Sequence, residues 1–158
     1  PEAAAEVMRA VRGRTKLPVV VKMAPHDVPE IARALEAEGA DALSLINTIP
    51  AMAIDVHTRR SRLSRPTAGL SGPAVHPIAV RMVWEAHRAV SLPICGIGGV
   101  TSGEDAAELI LAGATSVSVG TANLVDPTSA PRILGELTDW VREQGATDVN
   151  ELIGAVEC

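Results

Sequence analysis

Phenylalanine and tyrosine are absent from this sequence of 158 residues, and Trp84 and Trp140 are its only aromatic side chains of that class. A core without them must be built from Val, Ile, Leu and Ala, which suits the near-continuous apolar strands of a buried parallel sheet. No run of basic residues and no aromatic platform is present, and the formal net charge is −5, so nucleic acid is not an expected partner. Cysteine occurs twice, at Cys95 and Cys158, with no CxxC spacing. That excludes a disulfide framework and gives no zinc pattern, so no metal is expected. No apolar run approaches the roughly 18 residues of a membrane span, and no signal-peptide pattern is seen. The expectation is a soluble protein of a reducing, cytoplasmic compartment with no membrane partner.

What is present is ample apolar material, 47% of the residues, enough for the core of one domain. Residues 2–12 have helical spacing with Val7, Met8 and Val11 on one side. Gly13 closes that helix, and Val19-Val20-Val21 predicts a fully buried strand with Lys22 and Met23 at its C-terminal end. Asp27, with Glu30 three residues on and Pro29 in the first turn, predicts a capped helix that turns Ile31, Ala34 and Leu35 inward. Ala42–Ile46 predicts a second strand ending in Asn47-Thr48. Residues 49–73 carry three prolines, two glycines and Arg59, Arg60, Arg62 and Arg65, and predict a long irregular loop, of the kind that is functional or disordered. The arginines suit either a site or a solvated face. A helix is expected from about Pro77 to Val90, with Ile78, Met82 and Val83 facing the core. Further helices are expected near residues 130–143 and, capped by Thr147 or Asp148, at the tail.

One stretch, Leu92 to Leu124, organises the rest. It predicts a buried strand (Ile94–Ile97), then Gly98-Gly99, then a helix opened by Thr101 and Glu104. A second buried strand (Val117–Val119) runs into Gly120-Thr121. Glycines let the backbone come close, and a helix start offers free N–H groups and a favourable dipole for an anion. The glycines could be no more than tight turns, but two matched strand ends favour a phosphate cradle, as after strands 7 and 8 of (β/α)8 barrels. The chain also repeats itself. LPVVVKM (17–23) matches LPICGIG (92–98), and GADALSLINT (39–48) matches GATSVSVGT (113–121). Such self-similarity marks a modular architecture. The expected fold is therefore α/β, half of a (β/α)8 barrel with about four βα units and parallel strands. A complete doubly wound sheet of four strands is the competing fold, disfavoured by the lack of GxGxxG after the first strand.

In such barrels the residues at strand C-termini line the active face, which singles out Lys22, Asn47-Thr48, Gly98-Gly99 and Gly120-Thr121. Lys22 follows three valines, where an unpaired ammonium would be costly if buried. It suits either a fixed cation that stabilises developing negative charge or a structural ion pair. Asn47 offers a donor and an acceptor to an amide- or imide-like ring, or else simply forms a turn. Asp55 and His57 are close in sequence with nothing further to make them a base pair. His26, His76 and His87 are expected at the surface or in caps, and Cys95 is expected to pack rather than react.

VVVKMAP, LSLINT, GLSGPAVHPIAVRMV, GIGGV and SVGTANL, in this order, resemble the catalytic subunit of dihydroorotate dehydrogenase, and the SGPA…RMV segment is similar to class 1B. The resemblance runs from about residue 3 onward. It implies an FMN-dependent TIM barrel that oxidises dihydroorotate to orotate in pyrimidine biosynthesis. It also implies a homodimer joined to a subunit that carries FAD and an iron–sulfur cluster and delivers electrons to NAD. By matching motif, Lys22, Ile46, Gly72, Gly98, Gly99, Gly120 and Thr121 would contact FMN, and Asn47 and Thr48 would bind orotate. Ile46 and Gly72 come from the resemblance alone. The family's catalytic base, a cysteine, precedes the strand that carries Lys22, and neither Cys95 nor Cys158 matches it. The expectation is that residues 1–158 form one partial domain, the C-terminal half of the barrel, with the base upstream of Pro1 and no catalysis by this chain alone. Between Lys22 and Asn47 the chain is also two residues shorter than the family pattern. Two alternatives stay open: a dihydropyrimidine dehydrogenase-like FMN barrel, and a non-catalytic half-barrel that binds a phosphorylated ligand.

Overall fold

The computed structural model describes residues 1–157, and Cys158 lies outside the described residues. Helix α1 (Glu2–Arg12) leads into β1 (Val20–Met23), α2 (Val28–Ala37) and β2 (Ala42–Leu45). An excursion follows, built from β3 (Ile49–Ala51), β4 (Ile54–Asp55), β5 (Arg60–Ser61) and β6 (Ala68–Leu70). A 3-10 turn at Pro73–Val75 opens α3 (His76–His87). Then come β7 (Ile94–Ile97), α4 (Gly103–Leu111), β8 (Ser116–Ser118), α5 (Thr121–Val125) and α6 (Ser129–Glu143). A last 3-10 turn, Val149–Leu152, is capped by Asp148 as expected.

Strands β1, β2, β7 and β8 form one parallel sheet in that order. A doubly wound sheet reverses its strand order at a switch point. This one does not, and the architecture is that of half a (β/α)8 barrel. The two faces of the sheet differ sharply. Met23, Leu43, Leu45 and Ile94 point to the helices and are at most 2% exposed. The opposite face carries a row across the strands, Lys22, Ser44, Cys95 and Ser116, set by the parallel register. Side chains in that row are half-buried or exposed, because no described element covers it. Gly96, on the helix face, is needed for closeness: a Cβ there would come within 3.1 Å of the Ala114 Cβ.

The open face and the open edges correct several expectations. Val19–Val21 was expected to be fully buried, but Val20 is 56% exposed, because on the edge strand β1 it shares the uncovered face with Lys22. At the other edge, Ser116 is exposed and Val117 half-buried in β8. On α1 only Met8 is buried, while Val7 and Val11 are exposed. That helix is held instead through its polar side, by Arg9 to Glu38 and by Arg12 to Asp41 and the Gly39 carbonyl. On α3, Met82 and Val83 face the core but Ile78 does not.

Two caps also differ from expectation. Asp27 precedes α2 with φ +47° and makes no side-chain cap bond, so Glu30 completes no capping box. At α4 the box is one residue later than expected: Ser102 accepts from the Asp105 N–H, and Asp105 accepts from the Ser102 N–H. Residues 49–73, expected to be irregular, form two antiparallel ribbons, β3 with β6 and β4 with β5. The ribbon brings the chain back to the strand-end face at Ser71-Gly72, while its four arginines stay solvated.

Candidate functional site

The parallel strands deliver their C-terminal ends to one place. Ile46 N–H donates to the Ile97 carbonyl (2.7 Å) and Asn47 N–H to the Met23 carbonyl (2.9 Å), which ties the ends of β1, β2 and β7 together. Above them lies a cavity of about 210 Å³, walled by the ends of all four strands, the start of α5 and the returning ribbon. Lys22, Ile46, Asn47, Thr48, Gly72, Gly98, Gly99, Gly120 and Thr121 all line it. Every residue singled out from the sequence as a ligand contact is therefore gathered on one wall.

The wall is chemically divided. Lys22 stands exposed at the end of β1 and forms no ion pair among the described residues. Asn47 uses its amide oxygen to accept from the Thr48 N–H (2.9 Å); its amide NH2 is left as a donor to the cavity. Thr48 packs on Gly69 of the ribbon so closely that a Cβ at Gly69 would lie 2.1 Å from the Thr48 Oγ1. On the other side, the Thr121 hydroxyl donates to Ser71 Oγ (2.8 Å), joining β8's end to the ribbon. Among the described residues no acceptor is found for the backbone N–H of Gly99, Gly120 or Thr121. Free N–H groups around glycines suit an anionic oxygen.

Gly99 cannot be replaced without cost. Its φ is +70°, and a Cβ there would come within 2.7 Å of the Gly72 carbonyl oxygen. Gly120 is different, with nothing nearer to a Cβ than Ile97 at 4.0 Å. The flexible glycine at the end of β7 is thus a packing demand, and the one at the end of β8 an opening.

Some residues were missed. His76, expected at the surface or in a cap, is only 7% exposed. Its Nδ1 lies 2.8 Å from the Gly98 carbonyl. Its Nε2 faces Glu108 Oε2 (3.4 Å) and Asp105 Oδ1 (3.8 Å) on α4. Burial pushes the Asp105 carboxyl up, but bonds from the Thr101 hydroxyl and N–H and from the Ser102 N–H, together with the nearby His76 ring, bring it below the ordinary value. Leu70, Ser71, Val75, Ile97 and Leu124 complete the lining; Ser71 and Ile97 stand next to glycines already singled out, which was the one available signal. Cys95 is half-buried within β7 and does not line the cavity. Asp55 accepts from the backbone N–H of His57 and Thr58 and so serves a turn. Among the described residues no group of three or more metal-binding side chains occurs, and no helix is long and apolar enough to cross a membrane.

The family model described as dihydroorotate dehydrogenase matches residues 1–141. Among curated proteins, the chain is 53% identical over 99% of its length to "Dihydroorotate dehydrogenase B (NAD(+)), catalytic subunit" of Geobacter metallireducens, of which it covers 52%. The protein of the same name from Geobacter sulfurreducens is 54% identical over 99% of this chain and 52% of its own length. That from Desulforudis audaxviator is 52% identical over 98% of this chain and 51% of its own. The chain spans about half the length of these relatives.

Proposed function

The chain belongs to the dihydroorotate dehydrogenase family, and from that premise we propose that it supplies the flavin- and orotate-binding wall of a class B enzyme. The protein carrying it oxidises dihydroorotate to orotate in pyrimidine biosynthesis, in the cytoplasm. The carrying observation is that nine residues chosen from strand ends and family motifs line one cavity. Residues 1–158 are read as one partial domain, the C-terminal half of a TIM barrel, completed by the length of the relatives that this chain does not span.

The donor set fits FMN. The free N–H groups of Gly99, Gly120 and Thr121 would hold its phosphate, with Gly98 and Gly72 allowing close approach. Ile46 supplies an apolar contact for the ring. FMN, when bound, supplies the two-electron acceptor for the hydrogens lost by the substrate. Lys22 keeps a positive charge in the cavity wall where negative charge gathers, a preorganised stabilisation that water would not give. Asn47 donates from its amide NH2 to a carbonyl of the orotate ring, and Thr48 holds that loop against Gly69. Proton removal from the substrate falls to a cysteine in the part of the relatives' length outside this chain. Electrons leave to an electron-transfer subunit carrying FAD and an iron–sulfur cluster, and then to NAD; the catalytic subunit pairs as a homodimer.

The test is the full-length catalytic subunit, purified and assayed for FMN content and for reduction of its flavin by dihydroorotate or by dihydrouracil. Bound FMN with reduction by dihydroorotate alone is expected. Reduction by dihydrouracil alone would make it a dihydropyrimidine dehydrogenase-like enzyme. Phosphate-ligand binding with no flavin reduction by either would leave a binding module.

A further inference from the structure

We propose that His76 is a positioning residue that aims the Gly99 N–H at the cavity. This rests on the reading of Gly98-Gly99 as part of a phosphate cradle. The imidazole comes from the first turn of α3 and lies beneath the end of β7, 7% exposed. Its Nδ1 is 2.8 Å from the Gly98 carbonyl oxygen. A carbonyl only accepts, so the proton of this bond sits on Nδ1.

The consequence lies one atom further along. In a trans peptide the C=O and the next N–H point in opposite directions. Drawing the Gly98 carbonyl onto His76 therefore turns the Gly99 N–H away from the ring, toward the cavity that both glycines line. That N–H has no acceptor among the described residues. The contact leaves little play: a Cβ at Gly99 would fall 2.9 Å from the His76 Cβ and 3.0 Å from its backbone nitrogen. Histidine and glycine are thus seated on each other, and the carbonyl bond sets which way their shared peptide faces.

The far side of the ring is also specified. Nε2 is buried and makes no hydrogen bond, and the charged groups that face it are Asp105 and Glu108 of α4. Neither α3 nor β7 brings a charge to the ring among the described residues. Asp105 in turn caps α4 through Thr101 and Ser102, so the imidazole stands between a helix cap and the glycine peptide.

The experiment titrates the full-length apoprotein with FMN and with riboflavin, which lacks the phosphate, following flavin fluorescence. Three proteins are compared: wild type, His76→Leu, and His76→Asn, whose amide nitrogen is attached to Cγ as Nδ1 is. His76→Leu is expected to weaken FMN binding about tenfold or more while riboflavin changes less than about threefold, and His76→Asn to recover most of the loss. Equal losses for the two flavins, or no recovery with Asn, would overturn the proposal. Equal affinity of wild type for FMN and riboflavin would remove the phosphate cradle itself, and the proposal with it. Should His76→Leu fail to fold, nitrogen-15 NMR of the wild-type imidazole decides. A proton on Nδ1 is expected, and a ring protonated only at Nε2 overturns the proposal.

Discussion

The unit β1–α2–β2 and the unit β7–α4–β8 answer each other in sequence and lie side by side in one parallel sheet, yet they present different chemistry at the strand ends. The first offers side chains, the Lys22 ammonium and the Asn47 amide. The second offers backbone, through Gly98-Gly99 and Gly120-Thr121. They differ also in how firmly they are held. The helix of the second unit starts with a complete capping box; that of the first starts at Asp27, in a left-handed conformation without a cap bond. A binding surface made of backbone can be aimed only by fixing the backbone, so it is the glycine half that carries the tighter supports. A surface made of side chains tolerates a looser frame.

That contrast breaks most visibly at the glycines. Gly99→Ala is expected to cost about 2–4 kcal/mol, combining left-handed strain with a clash against the Gly72 carbonyl, and to abolish retained FMN. Gly120→Ala, which meets open space, is expected to stay within about 1 kcal/mol of wild type. Thermal melts and flavin content of the full-length subunit check both, and equal damage at the two positions would erase the distinction drawn here.

Lys22→Met should do the reverse of Gly99→Ala. The fold should stay within about 0.5 kcal/mol, because an exposed, unpaired ammonium contributes little. Flavin reduction by dihydroorotate should slow by about 100-fold, the usual loss when one preorganised charge or donor is removed. Stopped-flow kinetics separates the two quantities. Asn47→Ala is milder: orotate affinity should fall about tenfold, one hydrogen-bond donor's worth, with FMN content unchanged, as read by calorimetry and absorbance.

The smallest effect sharpens the capping difference. Asp105→Ala should cost about 1 kcal/mol, whereas Asp27→Gly should change stability by under about 0.5 kcal/mol, since glycine accepts the left-handed conformation. The Asp105 contribution depends on pH in a fixed direction. Its folded-state value lies below the ordinary 3.8. The stabilisation is therefore complete above that pH and disappears as pH falls through the folded-state value. Denaturation of wild type and Asp105→Ala in acid should converge, and a gap that widened instead would count against the capping account.

The strand ends were legible in the sequence because two local signals agreed there: apolar runs stopped by glycine or a polar residue, and a repeat that placed four such stops in register. What escaped depended on contacts remote in sequence. His76 looks like a capping histidine until the fold places Gly98, 22 residues away, above it. The ribbon at residues 49–70 was hidden because strands of two or three residues carry no readable alternation. The exposure of Val7, Val11 and Val20 was also invisible, since hydrophobicity states that a residue needs a partner and not whether this chain supplies one. The shift of the α4 cap from Thr101 to Ser102 is of another kind: two neighbouring hydroxyls and two neighbouring acids fit either register, and packing chose.

Neither tryptophan belongs to the cavity wall: Trp84 lies under Arg88, 4.9 Å from ring centre to guanidinium carbon, and Trp140 rides on α6. Excited flavins lose their light by taking an electron from a neighbouring indole or phenol, and this wall holds neither. An isoalloxazine resting here would meet no indole or phenol in direct contact among these lining residues.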